Sequence, residues 1–417
     1  MAGTLPLDGM RVVELSSFVA TPLGGMTLAQ LGADVIRVDQ IGGGPDIDRW
    51  PLAPSGRSLY WAGLNKGKRS VTVDLRSPEG REVVAGLIAE AGTVLTNAPP
   101  RPGLTYEELT AVRPDLIHVR LQGTRDGGNA VDYTVNAAMG FPSITGPHDG
   151  EPPVNHALPA WDVACGLYMA VGLLAAERHR QRTGEGQSIE VALQDVALAT
   201  AGNLGYLAEA QLGEPRARLG NHLFGDFGRD FATADGRVMV AILTARHWRD
   251  LVEATGLGEV MAALERALDA DFRRAGDRYG HREALGGVLA PWFASRTCEE
   301  VADGLAGTSV LWSRYRGFAE VAAGLRDEPL MAVLDQPGVG PHLAPGSPLR
   351  LDAAAAPCPP PRWASTPTRC CGTSCPRPRG GSRRCGAGAR SPSAVGRLPH
   401  GGIDGGSSDC EIVRGAN

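Results

Sequence analysis

The first 123 residues alternate strand-like and helix-like segments, and this alternation limits the fold more than any other feature of the sequence. Residues 9–44, "GMRVVELSSFVATPLGGMTLAQLGADVIRVDQIGGG", contain a β-branched run, an apolar run and a second β-branched run. The pattern recurs in "SVTVDL", "SPEGREVVAGLIAEA" with Ser77 as N-cap, "TVLTN" and "EELTAVRPDLIHVRLQG". Strands separated by helices predict a parallel sheet with helices on both faces.

A change of pattern near residue 205 indicates a second domain. The segment "RDFATADGRVMVAIL" suggests a hairpin with a turn at Asp235-Gly236, and helical, mixed-charge stretches follow it. We therefore predict an α/β protein with a Rossmann-like parallel-sheet large domain at residues 1–204. A smaller α+β domain occupies 205–330, and the chain returns to the large domain at 331–356.

Composition excludes several classes of function. The chain has 41 basic and 46 acidic residues, so it lacks the positive excess typical of nucleic-acid binding. No uncharged apolar run reaches the roughly 18–20 residues of a membrane span, and the start of the chain does not resemble a signal peptide. Up to residue 357 the only cysteines are Cys165 and Cys298, and their spacing predicts neither a disulfide framework nor a zinc site. These features predict a cytoplasmic protein without a metal.

The chain has only two lysines, Lys66 and Lys68, both in "LNKGKRSVTVDL". A lysine that persists in such an arginine-rich chain can meet a local need, because its compact charge on a flexible stem suits a mobile phosphate. Two solvated lysines in a loop are an equally good interpretation.

Asp162 precedes fourteen uncharged residues, 163–176, in the stretch "LPAWDVACGLYMAVGLLAAERH", residues 158–179. An Asp at the start of a helix is ordinarily an N-cap, which accepts hydrogen bonds from free backbone amides. A carboxylate in the same position can also be a nucleophile that forms an acyl intermediate. The pattern alone favours the cap.

Five motifs in a fixed order favour the second interpretation, in which Asp162 is a nucleophile. They are "RVVELSSFVATPLGGMTLAQLGADVIRVD", "LNKGKRSVTVDL", "DYTVNAAMGFPSITGP", "PAWDVACGLYMAVGLLAAERHRQRTGEGQ" and "ALQDVAL". In order and spacing the sequence resembles the class III CoA-transferases over roughly residues 5–350. The resemblance implies the fold of CoA-transferase family III, an interlocked homodimer, and an acyl-CoA substrate with no cofactor beyond coenzyme A.

The resemblance also implies roles for individual residues. Asp162 matches the family's aspartyl nucleophile. The residues assigned to CoA binding are Lys68, Arg101, Asn97 and Arg69. The residues assigned to the substrate pocket are Val19, Tyr133, Asn129, Arg125 and Arg229. Val19 stands at the active-site Gln of transferases of the formyl-CoA type, and Asn129 at the racemase's histidine. Chemistry of formate or oxalate and exchange of an α-proton are therefore not expected.

Within the family, the subgroup motifs imply intramolecular transfer of CoA between the two carboxyl groups of a short branched dicarboxylate, from 2-methylfumaryl-CoA to 3-methylfumaryl-CoA. The intermediate would be an aspartyl anhydride. Two alternatives stay open, an intermolecular CoA-transferase and an inactive CoA-binding remnant. An NAD-linked oxidoreductase is disfavoured because the first turn, "SSFVATPLGG", lacks the G-x-G-x-x-G pattern. Arg125 and Arg229 could bind the substrate's free carboxylate or form ordinary salt bridges. His156 and His222 are expected to be structural.

The tail, residues 357–417, differs from the rest of the chain. It is rich in Arg, Pro and Gly and poor in Leu, Ile and Val, so it is expected to be disordered. Family members end instead with a segment like "LGEHTDEVL" and a helix. If "RWASTPTRCCGTSC" is given GC-rich codons, a reading that starts two bases later yields "LGEHTDAVLRDVL". We therefore predict a frameshift at roughly residues 352–361, with the six tail cysteines as its by-products.

Overall fold

The computed structural model describes residues 5–147, 152–213, 216–336, 338–351, 364–370 and 410–415. The chain divides into two compact units. The first comprises Met1–Ala130, Trp161–Val196 and Pro329–Asn417, and the second comprises Val131–Ala160 and Ala197–Glu328. Residues 131–160, which the sequence analysis assigns to the large domain, thus belong to the second unit.

Six parallel strands form the centre of the first unit. They are β1 (Arg11–Leu15), β2 (Asp34–Asp39), β3 (Arg69–Thr72), β4 (Thr93–Thr96), β5 (Ile117–Gln122) and β6 (Gln187–Ala192). Their spatial order is β3-β2-β1-β4-β5-β6. Val13 in β1 pairs with Ile36 on one side and Val94 on the other. The predicted α/β class with a parallel sheet is confirmed.

Capping residues in the sequence set the ends of several helices in the first unit. They are α1 (Ala20–Gln30), α2 (Leu59–Leu64), α3 (Pro78–Ala91), α4 (Tyr106–Val112) and α7 (Ala160–Thr183). Ser77 accepts a hydrogen bond from the Gly80 amide, as predicted, and Gly92 ends α3 at φ 68°. Thr105 and Glu108 form a capping box at α4. Val84 and Ile88 of α3 pack on the apolar side chains of the sheet.

Helix α7 is the longest helix in the described parts of the chain. Its buried residues include Cys165, Met169 and Leu173. By length and composition alone it could cross a membrane, and no other described helix passes that test. The uncharged run within this helix, residues 163–176, is shorter than the roughly 18–20 residues of a membrane span. Core helices of globular proteins share the same property, and α7 has a buried face of that kind.

The second unit contains a three-stranded antiparallel sheet with helices. Its strands are β7 (Phe227–Ala232), β8 (Arg237–Ile242) and β9 (Leu311–Arg314), in that spatial order. Its helices are α5 (Asp132–Ala138), α6 (Phe141–Ile144), α9 (Tyr206–Leu212), α10 (Ala245–Thr255), α11 (Gly258–Leu268), α12 (Ala275–Gly280), α13 (Arg282–Ala294), α14 (Cys298–Leu305) and α15 (Phe318–Ala323), and α8 (Leu193–Asn203) runs from one unit into the other. The Thr233 amide donates to the Gly236 carbonyl, so the hairpin turn lies where the sequence predicts it.

The last described elements belong to the first unit. β10 (Met331–Gln336) and β11 (Gly340–Pro345) form a hairpin, and β12 (Ala364–Cys370) pairs antiparallel with β13 (Cys410–Gly415), which pairs with β3. Two segments of the tail are thus strands, contrary to the expectation of disorder for all of 357–417. The rest of the tail lies outside the described residues, and the expectation there stays a prediction.

Candidate functional site

The loop between β1 and α1 lies at the carboxyl edge of the parallel sheet, where α/β folds bind their ligands. Phe18 in this loop has φ 65°, a left-handed conformation that costs a bulky residue about 1–2 kcal/mol. The Ser17 amide donates to Asn97 Oδ1 (3.0 Å), and Asn97 Nδ2 donates to the Ser17 carbonyl (2.9 Å). The Phe18 amide donates to Asp46 Oδ2 (3.0 Å). Side chains from distant segments therefore hold this loop in its strained form.

A buried arginine connects the loop to the sheet. Arg37 donates to both oxygens of Asp39 and of Asp46, to Asn65 Oδ1 (2.9 Å) and to the Ser16 carbonyl (3.2 Å). Burial by itself would lower the pKa of Arg37. Attraction to the carboxylates of Asp39, Glu14 and Asp46 is stronger, so the pKa is raised above its usual value. Burial raises the pKa of Asp39 against the opposing effect of Arg37. Arg37 is thus a charged centre that ties together four separate segments.

Lys68 is buried beside this arginine. Its Nζ lies 2.8 Å from each of three acceptors, Glu14 Oε1, Asn65 Oδ1 and the Pro22 carbonyl. An ammonium has three N–H donors, so all of them are engaged within the protein. Burial lowers the pKa of Lys68 to about 8, an effect that Glu14 opposes. The family resemblance assigns Lys68 to binding of the CoA nucleotide, but in the structure this ammonium is buried.

The other two cations assigned to CoA lie apart from each other. Arg69 begins β3 and bonds both carboxylate oxygens of Asp34 at the amino end of the sheet (2.7 and 2.6 Å). The structure therefore does not bring Arg69 together with Asn97 at the carboxyl edge. Arg101 follows β4, near Asn97, and lines a cavity of about 230 Å³ with Arg120 and His118.

That cavity contains polar atoms without partners. Arg101 Nε, Arg120 Nε and His118 Nδ1 are buried and have no hydrogen-bond partner among the described residues. Burial and the nearby Arg120 lower the pKa of His118. Glu107 and Glu190 also line the cavity. The two carboxylates match the two guanidinium groups in number, so the lining carries no surplus positive charge around a neutral His118.

Asp162 is the third residue of α7, and its side chain is half-buried. Because the helix begins at Ala160, Asp162 is not the N-cap residue, and the capping interpretation is replaced by a position within the first turn. There the helix dipole stabilises a negative charge. One turn further on, α7 meets α1 so closely that a Cβ on Gly166 would lie 2.6 Å from the Ala20 carbonyl oxygen. Helix α1 therefore braces the segment of α7 that follows Asp162.

The remaining predicted residues differ in their surroundings. Val19 is buried at the start of α1. Arg125 is 83% exposed and pairs with Asp195 at 3.0 Å, and Asn129 is exposed in the same loop after β5. These three residues and Asp162 belong to the first unit, so the structure places them in one compact body.

Tyr133 and Arg229 belong to the second unit. The Tyr133 ring meets His156 edge-on at 6.0 Å, and Arg229 lies 3.7 Å from Glu283. His156 Nε2 lies 2.6 Å from Asp132, and His222 Nε2 lies 3.2 Å from Glu283. The two histidines thus have carboxylate partners, as structural histidines do.

Sequence reasoning missed the residues that hold the loop, namely Glu14, Arg37, Asp46 and Asn65. Glu14 offered a signal, because a fully buried acid interrupts the apolar strand "RVVEL". Such an acid requires a cationic partner, and the chain has only two lysines to supply an ammonium. No group of three or more potential metal ligands occurs among the described residues.

Comparison with known proteins gives a consistent result. Residues 7–367 match the model of CoA-transferase family III. The chain is 51% identical to 2-methylfumaryl-CoA isomerase of Chloroflexus aurantiacus over 83% of this chain and 88% of that protein. It is 32% identical to succinyl-CoA:mesaconate CoA-transferase of Haloarcula hispanica over 83% of this chain and 90% of that protein. A CAIB/BAIF family protein from Brucella suis superposes with a TM-score of 0.70 at 29% identity, over 84% and 94% of the two chains.

Proposed function

The chain belongs to CoA-transferase family III, and from that premise we propose that it moves coenzyme A between the two carboxyl groups of one molecule, from 2-methylfumaryl-CoA to 3-methylfumaryl-CoA. The identity of 51% to a 2-methylfumaryl-CoA isomerase over most of both chains carries this proposal. Asp162 is the proposed nucleophile, and coenzyme A enters only as part of the substrate.

The reaction uses the Asp162 carboxylate, both carboxyl groups of the substrate and the CoA thiolate. Asp162 attacks the thioester carbonyl, and the C–S bond breaks. CoA thiolate is released, and an anhydride between Asp162 and the acyl group remains. The thiolate then attacks the aspartyl carbonyl, which forms an aspartyl-CoA thioester and frees the dicarboxylate. The other carboxylate of the retained dicarboxylate attacks that thioester and expels the thiolate again. The thiolate finally attacks the new acyl carbonyl, and Asp162 is regenerated.

Two observations support the role of Asp162. Its place in the first turn of α7 stabilises the carboxylate as the leaving group of the anhydride, because the helix dipole is positive there. Its helix is braced by α1 at Gly166, which limits movement of the nucleophile. Val19 and Asn129 supply no general base, in agreement with a reaction that transfers no proton from carbon.

The decisive variant is Asp162→Asn. An amide cannot form the anhydride, so we expect turnover to fall below detection while the fold persists. Glu79→Gln is a matched control, because Glu79 is also an acid in the first turn of a helix and is exposed to solvent. Wild-type turnover in Asp162→Asn would refute the role of Asp162.

A second experiment distinguishes intramolecular from intermolecular transfer. The name of the relative from Haloarcula hispanica, succinyl-CoA:mesaconate CoA-transferase, describes intermolecular transfer. Unlabelled 2-methylfumaryl-CoA is incubated with an excess of deuterated methylfumarate, and the product is analysed by mass spectrometry. Intramolecular transfer gives an unlabelled product. Deuterium in the product, or a requirement for the added acid, would establish an intermolecular transferase. Tight CoA binding without any turnover would establish an inactive remnant.

We also infer that the protein is a cytoplasmic homodimer, interlocked as the family resemblance implies. Beside its buried face, α7 exposes Leu167, Tyr168 and Val171 by 48, 55 and 62%. A second copy of the chain would remove this apolar strip from water. Light scattering should show a dimer, and Val171→Asp should weaken it. A monomeric wild type would refute this inference.

A further inference from the structure

The loop of Ser16, Ser17 and Phe18 is held by side chains that come from three other segments. Asn97 binds both polar groups of the Ser17 backbone, Asp46 accepts from the Phe18 amide, and Arg37 donates to the Ser16 carbonyl. Phe18 adopts its left-handed conformation within this set of contacts. A strained loop persists only where its surroundings fix it, so these contacts maintain its shape.

The contacts on the loop are fixed in turn by a second layer. Asp46 is fully buried and receives Arg37 on both oxygens, with distances of 3.1 and 3.2 Å. Asn65 Oδ1 accepts from both Arg37 Nη1 (2.9 Å) and Lys68 Nζ (2.8 Å). Lys68 thereby connects the arginine to Glu14 of β1 and to the Pro22 carbonyl in the first turn of α1. One continuous chain of hydrogen bonds links the loop, β1, β2 and α1.

The position of α1 bears directly on the proposed nucleophile. A Cβ built on Gly166, one helical turn after Asp162, would lie 2.6 Å from the Ala20 carbonyl oxygen and 3.1 Å from the Leu23 side chain, so α1 leaves no room there. Lys68 holds the Pro22 carbonyl between Ala20 and Leu23. A shift of the loop or of the first turn of α1 would therefore move the helix that carries Asp162.

We propose that Lys68 and Asp46 are positioning residues, which act through this buried network to fix the β1–α1 loop and the helix of the nucleophile. The inference rests on the proposed function of Asp162. Acyl transfer between a carboxylate and a thioester requires a narrow geometry, and a misplacement of about 1 Å can cost about 100-fold in rate. All donors of Lys68 are engaged internally, so its contribution is to geometry and not to direct contact with a CoA phosphate.

Two lysines that are two residues apart provide a matched test. Lys68→Met removes the three bonds of the network. Lys66→Met is the control, because Lys66 is also buried but donates to the Pro345 carbonyl outside the network. We expect Lys68→Met to lower kcat at least about tenfold with KM changed less than about threefold. Deuterium exchange at the Ser17 and Phe18 amides should accelerate in Lys68→Met and stay at the wild-type rate in Lys66→Met.

A second variant guards against a general loss of folding. Glu14→Gln combined with Lys68→Met removes both members of the ion pair, so no charge is left buried alone. The same fall in kcat and the same faster exchange are expected. Asp46→Asn should also accelerate exchange at the Phe18 amide, since it weakens the bond between Arg37 and residue 46.

The opposite pattern would overturn the proposal. If Lys68→Met raises KM for the CoA thioester, with kcat and amide exchange unchanged, Lys68 binds the substrate directly. If wild type turns over no methylfumaryl-CoA, the proposed function fails, but amide exchange still tests the network. Equal exchange in wild type and in the Lys68 and Asp46 variants would then refute the positioning role alone.

Discussion

The crossing of α1 and α7 can be tested with one methyl group. Gly166→Ala would place a Cβ 2.6 Å from the Ala20 carbonyl oxygen and 3.1 Å from two atoms of the Leu23 side chain. The Ala20 carbonyl oxygen belongs to the backbone, so it cannot rotate away from the added methyl group as a side chain could. Overpacking of this kind costs about 1–3 kcal/mol, and an alanine gains up to about 1 kcal/mol over glycine within a helix. We expect the free energy of unfolding to fall by about 1–2 kcal/mol.

Gly172→Ala provides the control within the same helix. A Cβ at residue 172 would lie 3.4 Å from Ile189 Cγ2, which is ordinary contact. Because no atom must move, the gain in helix propensity should remain, and we expect stabilisation of about 0.5–1 kcal/mol. The two variants should therefore differ by about 1.5–3 kcal/mol, although each adds the same single methyl group to α7.

Urea unfolding followed by circular dichroism, at one protein concentration, measures this difference. Turnover gives a second measure, because separation of the helices at Gly166 displaces the turn with Asp162. We expect kcat to fall by about 10–100-fold in Gly166→Ala and to stay near wild type in Gly172→Ala. Equal stability and equal kcat in the two variants would refute the proposed bracing of α7 by α1.

Three further predictions concern other parts of the chain. Burial lowers the pKa of Lys66 to about 8, below its value of 10.5 in the unfolded chain. Below pH 8 the folded protein must hold the Lys66 ammonium in a buried site, which destabilises it. This penalty disappears as the pH rises from 8 to 10.5, so the free energy of unfolding relative to Lys66→Met should increase by up to about 3 kcal/mol over that range. A pH-independent difference in urea unfolding would contradict this. Arg278→Met should destabilise by about 3–5 kcal/mol, because it leaves buried Asp226 without its bidentate partner. The exposed pair at Arg273 is the control, and Arg273→Met should leave the free energy of unfolding close to that of the wild type. Resequencing of the gene should reveal a missing or extra base near codons 352–361, and codons that cannot give the shifted reading would rule out the frameshift.

Local patterns in the sequence account for much of the fold. The alternation of β-branched and apolar runs predicts the parallel sheet because side-chain periodicity follows from the local backbone geometry. Ser77 as a helix cap and Asp235-Gly236 as a hairpin turn are predicted for the same reason, since each acts on its own few residues. The family follows from motifs in fixed order, and comparison with known proteins confirms it.

The surroundings of the charged residues depend on contacts between distant segments. Lys68 is 54 residues from Glu14 and 46 from Pro22 along the chain, and no local pattern shows that they form one buried cluster. The sequence could not show that Arg69 faces Asp34 at the amino end of the sheet, because strand register decides where that side chain lies. The sequence by itself determines the α/β class, the family and the candidate nucleophile. The tertiary structure decides which charges face the interior, because burial and pairing depend on how strands and helices separated along the chain pack together.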